Sequence, residues 1–253
     1  MANARQFMAA RTAAWAKSGG WVNPYVTDGL VAMWDGEWNA GGGVHDPNAT
    51  VWKDLSGKGK DADFIDQQQY VKWNQNCLSV NTYSENSSIL MREVLTSDVK
   101  NFEICCSIQD FNLYSRFFVS GSDSGGRNLQ FINNSGGGGI SGVLAVQINS
   151  NNQQLNSELY LPQKGVPFSA GFGFNSVSDF VFFVNSSISS STLYNTWNTL
   201  PVWNNEDIVL SQRGDMSRAS DVLYHCIRFY DHKLTDAERI ANYAVDKARF
   251  GLP

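Results

Sequence analysis

The stretch Leu223–Pro253, LYHCIRFYDHKLTDAERIANYAVDKARFGLP, sets two kinds of local structure back to back. Leu223–Tyr230 is a run of mostly large apolar and aromatic residues, the composition of a strand. Thr235-Asp236-Ala237-Glu238 then spells a capping box. The Thr235 hydroxyl can accept from the Glu238 amide while the Glu238 carboxylate reaches back. Ala237, Ile240, Ala241, Ala244, Val245 and Ala248 follow at helical spacing as one apolar stripe, and Gly251 and Pro253 close the helix. This helix is expected to pack on the β-domain, directly after the strand Leu223–Tyr230.

Upstream, strand-like runs recur at short intervals. They are Leu30–Trp34, Tyr70–Trp73, Cys77–Val80, Ile89–Val94, Phe102–Ile108, Arg116–Ser120, Leu129–Ile132, Val143–Ile148, Leu159–Leu161, Phe168–Phe174, Phe180–Val184 and Ile208–Ser211. Asn, Gly, Ser and Pro punctuate the gaps, the rhythm of a sandwich or barrel. No helical period falls between strands, which argues against a parallel α/β sheet. Asp54–Asp61 reads as a tight turn-rich segment, and Gly136–Gly139 as a hairpin tip without the Gly-Lys-Ser/Thr ending of a phosphate loop. Residues 1–18 stand apart: Phe7, Ala10, Arg11, Ala14 and Trp15 sit near helical spacing before Gly19 and Gly20. The chain divides into a helical anchor and linker, residues 1–27, and a β-domain, residues 28–253. Phe7 and Trp15 are the candidate anchor residues.

Composition narrows the function classes. Charged residues make up 17% and hydrophobic ones 42%, which places the chain among folded proteins. The formal net charge is -5 and the basic residues are scattered, so no phosphate track is present and nucleic acid is not an expected partner. Arg5, Gln6, Arg11 and Lys17 interrupt any secretory h-region, and no apolar run reaches membrane-span length. Cys77, Cys105, Cys106 and Cys226 form no C-x-x-C pair. Cys105 and Cys106 point to opposite faces if they lie on a strand. Four reduced thiols and one disulfide both remain open at this level.

Three blocks carry a family resemblance: GLVAMWDG (Gly29–Gly36), VWKDLSGKGKDADF (Val51–Phe64) and IRFYDHKLTDAERIANYAVDKARF (Ile227–Phe250). The second contains W-x-D-x-S-G-x-G at Trp52, Asp54, Ser56, Gly57 and Gly59. The third contains R-x-Y-x-x-x-L-T-x-x-E at Arg228, Tyr230, Leu234, Thr235 and Glu238. Together they resemble the laminin-G-like branch of the concanavalin-A-like lectin and glucanase superfamily. The resemblance implies an all-β antiparallel jelly-roll sandwich with a short N-terminal and a C-terminal helix. The versions with VHDPNATVWKDLSG and NYAVDKARF look similar to proteins of gut bacteria and their phages. That implies a non-catalytic virion-surface or extracellular module, made in a bacterial cytoplasm, with cell-surface glycans as partners. The N-terminal segment would contact virion proteins or copies of itself. A structural decoration protein without sugar binding, and a glucanase-like glycoside hydrolase, are the alternatives.

The superfamily's chemistry can be sought residue by residue. A retaining glycosidase needs two carboxyl groups about 5–5.5 Å apart. In glucanases of this fold they come from one strand in an E-x-D-x-E or E-x-D-x-x-E pattern, and neither occurs here. No G-x-S-x-G elbow is present. His225 reads as a structural strand residue, His232 as a turn residue and His45 as a loop residue able to meet a ligand. Calcium is common in the superfamily, so Asp54 and Asp61 are the candidate metal ligands, against a reading in which Asp54 braces the Ser56–Gly59 turn amides. Sugar binding needs exposed aromatic faces beside amides, carboxylates or guanidinium groups. Trp38 with Asn39 and His45, Trp197 with Tyr194 and Asn198, and Trp203 with Asn204, Asn205 and Arg213 are the candidate sets. Trp34, Trp52 and Trp73 are assigned to packing. Arg213-Gly214-Asp215 and the N-x-S/T triplets at Asn48, Asn86, Asn133 and Asn185 carry no functional expectation.

Overall fold

The computed structural model describes residues 21–65, 71–81, 88–110, 116–120, 129–134, 142–148, 153–201, 203–210 and 221–253. The N-terminal anchor with Phe7 and Trp15, the Gly136–Gly139 tip and Arg213 lie outside them. Seventeen strands precede one helix among the described residues. They are β1 (Leu30–Asp35), β2 (Val51–Trp52), β3 (Ala62–Ile65), β4 (Val71–Asn74), β5 (Cys77–Asn81) and β6 (Ser88–Leu95). Next come β7 (Asn101–Asp110), β8 (Arg116–Ser120), β9 (Leu129–Asn134), β10 (Val143–Ile148), β11 (Gln153–Tyr160) and β12 (Phe168–Phe174). The last are β13 (Phe180–Val184), β14 (Ser187–Ser189), β15 (Thr192–Asn195), β16 (Glu206–Leu210) and β17 (Asp221–Tyr230), before the C-terminal helix Asp236–Phe250.

All pairing is antiparallel, in two sheets. The eight-stranded sheet runs β14-β13-β12-β7-β17-β5-β4 with β1 as its eighth strand beside β17, and the nine-stranded sheet runs β15-β11-β10-β9-β8-β16-β6-β3-β2. Strand β17 is the spine of the first sheet. One flank pairs with β7 along its length, and the other is shared end to end by β5 and β1. β2, β3, β14 and β15 were not legible as strands, because each is short and β14 is mostly serine. β11 begins at Gln153, well ahead of the expected Leu159–Leu161 run.

Parity explains the core. Phe102 and Ile104 of β7, with Ile227 and Phe229 of β17, meet Phe118, Phe131, Leu144 and Ile208 from the other sheet. Phe102 lies at the centre, with ring centroids 5.2 Å from Phe118 and 5.0 Å from Phe131. Trp34 and Trp52 are fully buried and Trp73 packs partly buried against Trp52, as expected of packing residues. Cys105 faces away from this core and Cys106 into it. All four thiols are free and buried, which settles the question left open by their spacing.

The helix lies on the outer face of the eight-stranded sheet, over Leu30, Met33, Cys105, Cys226 and Tyr230. Its capping box forms as the sequence predicts. Its buried face does not match the predicted stripe. Ala241 and Val245 are buried, but Ile240 is 54% exposed and Ala237 and Ala248 are also exposed. Arg239, Asn242 and Asp246 are buried instead. The reason is electrostatic. Arg228 projects from β17 to the helix side, where Asp246 takes both its terminal nitrogens at 2.8 and 2.7 Å and Glu103 takes its Nε at 2.9 Å. Asn242 bonds Glu103 and the Tyr230 hydroxyl. A buried guanidinium needs these partners, so it rotates the helix toward its acids and amide.

Candidate functional site

The tryptophans chosen as sugar platforms turn inward. Trp197 is 6% exposed and Trp203 2% exposed. Trp197 packs 5.6 Å from Phe172 and Phe174, and Trp203 lies 5.7 Å from Phe174. Both fill the space between the sheets, so neither offers a ring face to a ligand, and the expectation is corrected for these two. Asn204 is exposed, next in sequence to the buried Trp203.

The Trp38 set is closed by the chain itself. The Arg249 guanidinium lies 3.7 Å from the Trp38 ring centroid, and Trp21 meets Trp38 edge-on at 5.4 Å. Asp35 and Glu37 bind the same guanidinium at 2.6 to 2.9 Å. Asn39 is fully buried, donating to Asp46 O at 2.7 Å and accepting from Asp46 N at 2.8 Å. His45 is half-buried in the loop that this pairing holds.

The turn motif uses its acids on donors. Asp54 accepts from the Met33, Ser56 and Lys60 amides and from the Ser56 hydroxyl at 2.8 to 3.0 Å. Asp61 accepts from the Asp54 amide at 2.9 Å and from Lys53 Nζ at 2.6 Å. Gly57 and Gly59 supply left-handed φ values of 80° and 74° that let the loop curl around Asp54. A cation here would face amide and ammonium donors, so the metal-ligand role for Asp54 and Asp61 gives way to turn bracing. Among the described residues no cluster of His, Cys, Asp or Glu is arranged to hold a metal ion.

Elsewhere, three distant segments meet in an open cleft of about 400 Å³. Glu158, Tyr160 and Pro162 come from the end of β11, Asn185 and Ser187 from the β13–β14 turn, and Tyr243 from the helix. On β11, Leu155 points into the core, and the bulged register against β10 leaves Tyr160 on the outer face, 65% exposed. Asn185 adopts a left-handed φ of 55° that tightens the two-residue turn. Its side-chain oxygen accepts from the Ser169 backbone amide at 3.0 Å and its own backbone amide donates to Ser169 O at 2.7 Å. Tyr243 donates its hydroxyl to Pro253 O at 2.5 Å, leaving that oxygen free to accept. Among the described residues Glu158 is the one Asp or Glu side chain lining the cleft. An exposed phenol ring beside hydroxyls and amides, in a cavity of ligand size, can hold a molecule with an apolar face and a polar rim.

A second polar feature crosses the outer face of the nine-stranded sheet. Arg116 donates to Gln130 at 2.7 Å, Gln130 to Gln147 at 2.9 Å, and Gln154 to Asn156 at 2.5 Å. Arg116, Gln130 and Asn156 are at most 2% exposed, so these groups serve each other rather than an open surface. The Glu103, Arg228 and Asp246 group is likewise fully enclosed, and burial pushes the Glu103 carboxyl upward against the opposing pull of Arg228.

No protein-family model matches the chain, and no curated protein sequence does. Solved structures are similar to it at low identity. Domain 4 of an extracellular arabinanase from Geobacillus stearothermophilus, in complex with arabinotriose, is 12% identical with a TM-score of 0.63, covering 85% of this chain and 98% of that one. The binding domain of botulinum neurotoxin serotype D/C is 10% identical with a TM-score of 0.61, covering 87% of this chain and 53% of that one. The sialidase of Trypanosoma rangeli in complex with sialic acid is 13% identical with a TM-score of 0.55, covering 96% of this chain and 39% of that one. The chain therefore spans nearly all of the arabinanase domain but about half or less of the other two. Two facing antiparallel sheets, one closing helix and these matches together identify the fold as the concanavalin-A-like β-sandwich.

Proposed function

We propose that this chain is a non-catalytic saccharide-binding module that works through the cleft at Tyr160. The exposed ring of Tyr160 beside that cleft is the observation that carries the reading. A sugar's C–H face stacks on such a ring while neighbouring amides and hydroxyls take its hydroxyl groups. The arabinanase domain bound to arabinotriose supports the reading as an example of this fold holding a saccharide. Among the described residues Glu158 brings the one side-chain carboxylate to the cleft, which supports binding over hydrolysis, since a retaining reaction needs two. The three sequence blocks that resemble laminin-G-like phage and gut-bacterial proteins extend the proposal to a virion-surface or extracellular module, held by its N-terminal segment to virion proteins or other copies.

The test is a glycan array probed with the whole chain, in calcium and in chelator, beside Tyr160→Ala. Specific binding that weakens about tenfold in the variant supports the proposal. Clean absence of binding under both conditions overturns it. A purely structural decoration role has its own support in Ile188 and Ile240, both 54% exposed beside the cleft. Self-association that Ile240→Asp abolishes, in a protein binding no glycan, would establish that role instead.

A further inference from the structure

A smaller pocket of about 90 Å³ adjoins the cleft and shares Asn185, Ser186 and Tyr243 with it. We infer that this pocket reads the exocyclic hydroxymethyl group of a neutral hexose unit whose ring lies against Tyr160. The inference rests on the saccharide-binding reading above.

Size is the first argument. Pockets that enclose a whole small ligand span about 300–1,000 Å³. The cleft lies in that range, and the pocket has less than a quarter of its volume, so the cleft takes a ring and the pocket a substituent. The lining is the second. Phe183, Ile188 and Ile240 give an apolar floor and rim, suited to a methylene. Phe183 reaches this position because its cross-strand partner is Gly171. A Cβ there would stand 2.2 Å from the Phe183 ring and 2.4 Å from Phe102 O.

Hydrogen-bonding capacity is the third. Asn185 uses its side-chain oxygen on Ser169, while its side-chain nitrogen and the Ser186 hydroxyl make no hydrogen bond among the described residues. Arg239 is 7% exposed and is pinned by Leu234 O and Asp236, yet its Nε–H is buried without a partner. With that nitrogen shielded, the donors open to a seated hydroxyl are the Asn185 side-chain amide and the Ser186 hydroxyl. Charge is the fourth argument. Arg239 is already paired with Asp236, and Glu158 lines the adjoining cleft. A sugar carboxylate would meet two acids and one neutralised guanidinium, so the site disfavours sialic and uronic acids.

The experiment compares matched methyl pyranosides that differ only in the hydroxymethyl group: glucose with xylose, galactose with arabinose, mannose with lyxose. Sialyllactose and a methyl glucuronide are run beside them. Titration calorimetry of the whole chain should show at least one hexoside bound about tenfold more tightly than its pentoside partner, and tighter than either acidic probe. Ser186→Leu, on an exposed turn, fills the pocket and should bring that hexoside to the pentoside level. Equal affinity for hexosides and pentosides, with Tyr160→Ala still damaging both, overturns the pocket's role and leaves saccharide binding standing. Tighter binding of an acidic probe overturns the neutral-sugar assignment. No binding of any probe overturns both readings.

Discussion

The layer between the sheets and the layer under the helix are both shut off from water, and they are built on opposite terms. Between the sheets, Phe102, Phe118, Phe131, Phe172 and Phe229 contact one another through ring edges and faces with no polar partner required. Under the helix, Arg228, Glu103, Asp246, Asn242 and Tyr230 form one connected set of hydrogen bonds. The apolar layer gains from area buried and tolerates local change by degrees. The charged layer gains little in net stability, because removing charges from water offsets much of their attraction. What it supplies is a defined seat for the helix, the rotation it adopts placing Asp246 on Arg228 and Asn242 on Glu103 at once.

The largest break in this comparison should come from Asp246→Ala, which leaves Arg228 enclosed without its bidentate partner. Loss of about 3–5 kcal/mol is expected from urea unfolding. Replacing Arg228, Glu103 and Asp246 together by Met, Leu and Leu should instead leave stability within about 1 kcal/mol of the parent, or above it. An equal loss in the triple variant would show that the charges themselves stabilise. Leu144→Ala, a graded cut in the apolar layer, should cost about 2–4 kcal/mol by the same measurement.

The smallest effect sharpens the boundary between the layers. His225 stacks on Phe250 at 4.7 Å, contacts Asn76 O and Ser107, and is held below its ordinary value of 6.5, chiefly by burial. A depressed histidine is neutral in the folded chain and takes a proton more readily when unfolded. Its stabilising contribution is therefore present above about 6.5 and lost as pH falls toward the folded value. His225→Gln should flatten the fall in the urea midpoint below pH 6.5, and an unchanged slope would assign the pH dependence to other groups.

The contrast also explains what could be read in advance. The strand runs and the Thr235–Glu238 box depend on residues close in sequence, so composition and spacing suffice to find them. The helix face could not be read this way. The stripe of Ala237, Ile240 and Ala248 is more apolar than the face that is buried, and the decisive partner, Arg228, sits on another element. Trp197 and Trp203 lie in an irregular segment, where no period separates a ring that plugs the sandwich from one that faces out. The cleft joins Tyr160, Asn185 and Tyr243 from three separate parts of the chain. Only Asn185 left a local signal, as a polar turn residue between the apolar β13 and the short β14.

Strand β17 has a further consequence, for the order in which the molecule can be made. Leu30 pairs with Tyr230, and Asn81 with Asp221, so the spine of the eight-stranded sheet closes on partners synthesised far earlier. Until β17 leaves the ribosome, β1, β5 and one edge of β7 carry unanswered backbone donors and acceptors. Such non-local pairing makes folding slow and late rather than progressive. A nascent chain stalled before Asp221 is therefore a sticky half-sheet, and holding those edges apart during translation is a task for chaperones.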